Sequence, residues 1–289
     1  MSAPLLYRGY DKAELDRQYN NRQRFPHYTQ SVKDWQAWSA ATRANFVVEP
    51  DIAYGAQATE RLDIFPAPRA SAPIYVFLHG GYWQSLDKAD YSFIAAGMVP
   101  NGVMTVVPNF ALAPRDAMDE IVRQNRSVIA WLWHHAREFG GDPNRIYVGG
   151  HSAGGHLATM LLATLWPEFG LGLPKDLVKG VCAIGGLFDM EPIRLSYLNE
   201  TLGMTKQVSE RNDPVLQRYP IAAPLMLVLG NNESEEYYRQ VVAMACRWSK
   251  LGYPLEMRLE EGRDHFDVVN DLRQPTADLV QAQLRHFAV

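Results

Sequence analysis

The chain reads as an α/β fold with a mostly parallel central sheet and helices on both faces. Three observations predict it. Short β-rich apolar runs alternate with helical patterns over most of the chain after about residue 60. The runs are continuous rather than alternating in polarity, as strands buried on both faces are. Each is bounded by Gly or Pro, the residues that punctuate strand ends. At 289 residues the length allows one large domain or two small ones.

In chain order, the strand-like runs fall at residues 61–65, 74–78, 103–107, 146–149, 178–184, 225–229 and 254–259. The longest helical pattern spans 116–139, where Met118, Ile121, Val122, Val128, Ile129, Leu132 and Ala136 largely follow 3.6-residue spacing. Asp116 is its expected N-cap and Gly140-Gly141 its expected stop. Helices are also expected over 153–166, 234–251 and 276–287. Residues 1–45 differ in character. They are polar and aromatic (Tyr10, Tyr19, Phe25, Tyr28, Trp35, Trp38), helical around 13–22 and 32–44. The reading is a helical extension packed on the same domain, over a sheet edge or the mouth of a site, with residues 46–289 forming the main α/β unit.

Composition excludes several classes. Lys and Arg number 28 against 32 Asp and Glu, a net charge of −4, so nothing electrostatic favours nucleic acid or an anionic membrane as partner. Two cysteines, Cys182 and Cys246, are too few for a disulfide framework, and their apolar surroundings suggest buried reduced thiols. The start, Met1 to Arg8, shows no apolar core behind a basic head, and no run approaches the ~18 apolar residues of a bilayer span. A soluble, cytoplasmic protein is expected. No G-x-x-x-x-G-K-[ST], H-E-x-x-H or C-x-x-C occurs, so no cofactor and no metal are expected. His134 and His135 point apart on their helix and cannot share an ion.

Chemistry enters with Gly150-His151-Ser152-Ala153-Gly154. Such a G-x-S-x-G arises by chance in about one chain of this length in ten, so its context decides. It follows an apolar strand and opens a helix through Leu157, Ala158, Leu161 and Leu162. A serine on that sharp turn stands above the sheet, with a helix N-terminus behind it to favour negative charge. His79-Gly80-Gly81-Tyr82-Trp83 follows an earlier strand, where glycines free backbone N–H groups. Those of Gly81 and Tyr82, with that of Ala153, would hold an oxyanion. A base and its orienting acid should follow in chain order. His265 sits on the loop after the last strand-like run. Glu233 lies nearest the end of the 225–229 run, while Glu235 and Glu236 suit the first turn of the next helix. Asp264 and Asp267 flank His265 too closely to reach its ring.

These motifs resemble the α/β-hydrolase superfamily, and within it the kynurenine formamidase (arylformamidase) branch related to hormone-sensitive-lipase-type esterases. His79 to Trp83 is similar to that branch's HGGxW. Residues 150–156 resemble its serine turn. Gly186-Leu187-Phe188-Asp189-Met190-Glu191-Pro192-Ile193 resembles its substrate-mouth segment. Residues 233–240, Glu-Ser-Glu-Glu-Tyr-Tyr-Arg-Gln, resemble its acid-bearing [D/E]-S-x-E-F-x-R-Q stretch, with Glu where animal formamidases carry Asp. The resemblance implies an acyl-enzyme serine hydrolase of small esters or aryl formamides, such as N-formylkynurenine, with Ser152, His265 and Glu233 as triad. Trp83 and Phe188, beside Tyr82, are offered as the substrate wall. The implied partner is a small-molecule ester or formamide, and a homodimer is left open. Activity should fall on acidification through ~6.5 as His265 protonates. The rivals are a promiscuous short-chain carboxylesterase and a non-catalytic binding protein on a hydrolase scaffold.

Overall fold

The computed structural model describes residues 4–288. Eight strands form one sheet in the order β1-β2-β4-β3-β5-β6-β7-β8. They are β1 (Glu49–Ala53), β2 (Arg61–Phe65), β3 (Ala72–Leu78), β4 (Met104–Pro108), β5 (Gly141–His151), β6 (Val178–Ile184), β7 (Leu225–Gly230) and β8 (Leu255–Glu260). From β4 through β8 every pairing is parallel; β1 and β2 join antiparallel at one edge.

The apolar runs are strands for the reason their composition gives. β3 and β7 are buried along their whole length. On β3, Ile74, Val76 and Leu78 enter one core cluster while Tyr75 and Phe77 enter the other, so both faces are covered. The edges differ. β8 alternates between half-buried and exposed residues. β1, Glu-Pro-Asp-Ile-Ala, carries no apolar run and was not expected; its pairing with β2 makes it a strand.

Helix boundaries shift where capping chemistry competes. Asp116 does not cap the long helix, which runs Met118–His135. Ala117 takes the N-cap position, and the Asp116 carboxylate accepts from Arg115 Nε at 2.7 Å instead. Gly140, at φ +82°, ends the following 3₁₀ turn as expected. The expected 153–166 helix stops at Leu162. A separate turn, Trp166–Phe169, follows, with Pro167 in its first turn, where the missing N–H leaves no helix bond unmade. Cys182 is buried, but Cys246 is exposed: its helix, Glu235–Lys250, is amphipathic, and Val241, Met244, Ala245 and Trp248 take the inner face.

The extension forms three helices, α1 (Lys12–Tyr19), α2 (Asn21–Arg24) and α3 (Tyr28–Asn45). The break between α1 and α2 falls at Asn20, whose side chain accepts from Gln23 N–H. α3 is held to the sheet by a buried ion cluster: Arg43 and Lys88 both reach Asp63 of β2, Lys88 Nζ at 2.7 Å. Trp35 of α3 is fully buried, 5.3 Å from the Tyr91 ring, and its Nε1 donates to Asn270 at 2.9 Å. Among the described residues, no helix is long and apolar enough to cross a membrane.

Candidate active site

The site lies at the C-terminal ends of β3, β5, β7 and β8, where loops leave a parallel sheet. β5 runs straight into the Ala153–Leu162 helix, and Ser152 makes the whole turn at φ +55°, ψ −119°. Left-handed backbone is costly for a serine, and the chain tolerates it through its glycines. A Cβ on Gly150 would meet Gly154 O at 2.2 Å, and one on Gly154 would meet Leu78 O at 1.9 Å. The strand end, the helix start and β3 therefore touch backbone to backbone. Ser152 N–H donates to Ile184 O at 2.8 Å, which ties the turn to β6.

His265 and Glu233 arrive from the loops after β8 and β7. His265 Nε2 lies 2.9 Å from Ser152 Oγ, and its Nδ1 lies 3.0 and 3.1 Å from the two Glu233 oxygens. A carboxylate accepts only, so Nδ1 carries the proton and Nε2 is left to accept from the serine hydroxyl. All three side chains are buried. Burial holds the imidazole below its ordinary pKa, which keeps the ring neutral at neutral pH. Burial raises the Glu233 carboxyl, with Asp264 adding repulsion and Arg24 opposing it.

The remaining histidines separate cleanly. His151 Nε2 donates to the His265 carbonyl at 2.7 Å, so its Nδ1 accepts from Tyr91 at 3.0 Å. This residue, set aside from sequence as a base, holds the backbone of the loop that carries His265. His156 accepts from Trp83 Nε1 at 3.1 Å and donates to Asn212 O at 2.7 Å. His79 stacks on Phe110 at 4.2 Å. Asp264 caps its own loop, accepting from Phe266 N–H at 2.8 Å, and its other oxygen meets His27 Nε2 at 3.1 Å. Glu235 and Glu236 stand in the first turn of their helix, as expected. Glu236 is also buried, accepting from Tyr19 of the extension at 2.7 Å.

The glycine loop after β3 is strained along its length: Gly81, Tyr82 and Trp83 all have positive φ, at +104°, +50° and +57°. A Cβ on Gly81 would strike Ser85 O at 2.2 Å. Ser85 Oγ and Gln84 N–H both donate to Gly81 O, and Ala113 N–H donates to Trp83 O at 2.8 Å. Among the described residues, the N–H groups of Gly81, Tyr82 and Ala153 have no hydrogen-bond acceptor.

A cavity of about 30 Å³ adjoins Ser152 and His265, walled by Tyr82, Tyr91, Phe266 and, from the extension, Asn21, Arg22, Tyr28 and Trp35. Trp83 and Phe188, the wall offered from sequence, do not line it. Both are fully buried in the core, Trp83 against His156 and Phe188 over Gly186. Among the described residues, no three His, Cys, Asp or Glu side chains are gathered to hold a metal ion.

Comparison with known proteins gives this geometry its setting. The family model BD-FAE matches residues 62–168, which include both glycine turns. Kynurenine formamidase of Danio rerio is 31% identical over 244 residues, 81% of this chain and 80% of that protein. The chain belongs to the arylformamidase and carboxylesterase family of α/β-hydrolases. Esterase LipC of Mycobacterium tuberculosis, a more distant relative, is 26% identical over 83% of this chain and 66% of its own length. A protein from Silicibacter sp. tm1040, proposed to be a thioesterase, superposes with a TM-score of 0.82 at 26% identity, covering 93% of this chain and 98% of that one. Like its named relatives, this α/β-hydrolase is a hydrolytic enzyme. An acyl-enzyme formed on serine is typical of its fold.

Proposed function

We propose that this enzyme cleaves aryl formamides and small carboxylic esters, with Ser152 as nucleophile, His265 as general base and acid, and Glu233 as the group that orients the imidazole. The observation that carries the reading is the unbroken line from Glu233 through His265 to Ser152 Oγ at 3.0 and 2.9 Å. Ser152 Oγ adds to the carbonyl carbon while its proton passes to His265 Nε2. The negative oxygen is met by the N–H groups of Gly81, Tyr82 and Ala153, which are turned to no other acceptor. His265 then protonates the leaving nitrogen or oxygen. Water, activated by the same ring, releases the acyl group and restores the serine.

The aromatic wall supports an aryl leaving group. A cavity of about 30 Å³ holds little more than one water, so an aryl substrate enters by displacing part of that wall, and the extension supplies much of it. The kynurenine formamidase relatives support the formamide; LipC supports the ester. An exposed free thiol at Cys246 fits a reducing, cytoplasmic setting. The test is kcat/KM for N-formylkynurenine beside p-nitrophenyl acetate and butyrate. A preference for the formamide of ~100-fold, about 2.7 kcal/mol of transition-state stabilisation, supports a formamidase. Faster esters with no chain-length dependence make it a general carboxylesterase.

A further inference from the structure

The two edges of the sheet are finished differently. β1 is guarded against a further strand: Pro50 has no N–H to offer, Asp51 sits at φ +55°, and the pairing with β2 slips between Glu49 and Ile52. β8 lacks such guards. Its sequence, Leu-Glu-Met-Arg-Leu-Glu, contains no Pro and no Lys, and it pairs with β7 in unbroken register from Leu255 to Glu260.

The outer side of β8 is open and partly apolar. Leu225 N–H donates to Pro254 O at 3.0 Å, and Asn231 N–H donates to Glu260 O at 3.1 Å. That spacing turns the main-chain groups of the even-numbered residues toward β7 and leaves those of Leu255, Met257 and Leu259 facing outward. Among the described residues, no strand lies beyond them and no loop bonds to them. Met257 and Leu259 are 51% and 58% exposed, and Val242, on the Glu235–Lys250 helix that packs beside β8, is 51% exposed. An open edge flanked by exposed apolar side chains is a template for another strand.

The order of residues along β8 selects the strand that fits. In antiparallel pairing with a second copy about a two-fold axis at Met257, Met257 faces itself, Leu255 faces Leu259 and Glu256 faces Arg258. The outward main-chain groups then meet in hydrogen-bonded pairs, and the opposite charges take the closer-set positions between them. Moving the axis to Arg258 sets that guanidinium against itself and Glu256 against Glu260. Moving it to Glu256 sets that carboxylate against itself. Of the three registers, the one at Met257 matches apolar to apolar on one face and charge to counter-charge on the other. We propose that β8 is a homodimer interface, where two copies of this chain pair antiparallel about Met257 and join their eight-stranded sheets into one.

The test is sedimentation velocity on the full chain, comparing wild type with Met257→Lys, which sets two ammonium groups against each other on the axis. The wild type is expected to be a dimer at about 100 µM, and Met257→Lys to weaken association about 100-fold or more with an unchanged far-UV circular dichroism spectrum. A second measurement reads the register. Cys182 is buried, so a Cys246→Ser background leaves no exposed thiol among the described residues. In that background a short bismaleimide should join Met257→Cys to its own copy and leave Glu49→Cys, on the guarded edge, unjoined. A wild type that stays monomeric at that concentration leaves the edge to a different chain or to solvent and overturns the proposal. So does a dimer that Met257→Lys leaves intact, or one in which Met257→Cys takes no cross-link. Neither readout depends on the reaction assigned above, so failure of one reading leaves the other standing.

Discussion

The rim of the sheet and the N-terminal extension contribute to the site in opposite ways. At the rim, backbone geometry does the positioning: Ser152, Gly81 and Tyr82 sit at positive φ in turns closed by main-chain contacts. The extension contributes side chains. Tyr28 and Trp35 wall the cavity, Tyr19 binds Glu236 and Tyr82, and Arg43 joins a buried ion cluster. Under the proposed mechanism the rim would set which reaction is run, whereas the extension, which lines the cavity, would bound what reaches it. Damage at the rim should therefore appear in kcat, and damage in the extension in substrate range and stability.

The largest expected effect is at the rim. Ser152→Ala should lower kcat by about four orders of magnitude or more with the fold intact by circular dichroism. Near-full turnover in this variant would break the comparison outright. Glu233→Gln keeps the side-chain volume but removes the charge that orients and stabilises the imidazolium. A loss of about 10³–10⁴-fold in kcat is expected in steady-state assays, with little change in KM.

In the extension, Trp35→Ala should cost about 3–5 kcal/mol in denaturant unfolding, because the ring is fully buried against Tyr91. The same variant enlarges the cavity, so relative kcat/KM for bulkier esters should rise. A variant that loses stability without widening its substrate range would show that Trp35 is core and not wall. The smallest effect sharpens the rim. Burial lowers the His265 pKa, and the protonated ring is the inactive form, so activity persists to lower pH than a free histidine would allow. The acid limb of kcat/KM should lie at least about one unit below the ~6.5 of an unburied imidazole. A limb at ~6.5 would mean that the site is wetter, or the Glu233 charge more dominant, than its packing implies.

The rim was legible in sequence because its requirements are local. A strand, G-x-S-x-G and a helix follow one another within a few residues, and the glycines mark where backbone must pass backbone. Glu233 and His265 could be found because each follows a strand-like run in the order the fold demands. The wall was not legible. Tyr28, Trp35, Tyr91 and Phe266 converge from four separate segments, and from sequence an aromatic at the cavity looks the same as one in the core. The family resemblance points to Trp83 and Phe188 as wall residues, yet both side chains are buried in the core and neither lines the cavity. β1 was missed because its five residues carry no apolar run, and its strand character comes from pairing with β2. Asp116 has the chemistry of a cap but stands one residue before the N-cap position, and its carboxylate accepts from Arg115.

The most direct measurement is covalent labelling by a fluorophosphonate, with the adduct mapped by peptide mass spectrometry. One adduct on Ser152 is expected, absent in Ser152→Ala and much slower in His265→Ala. Labelling that survives Ser152→Ala, or a wild type that takes no label, would contradict an activated serine at the end of the Glu233–His265 line.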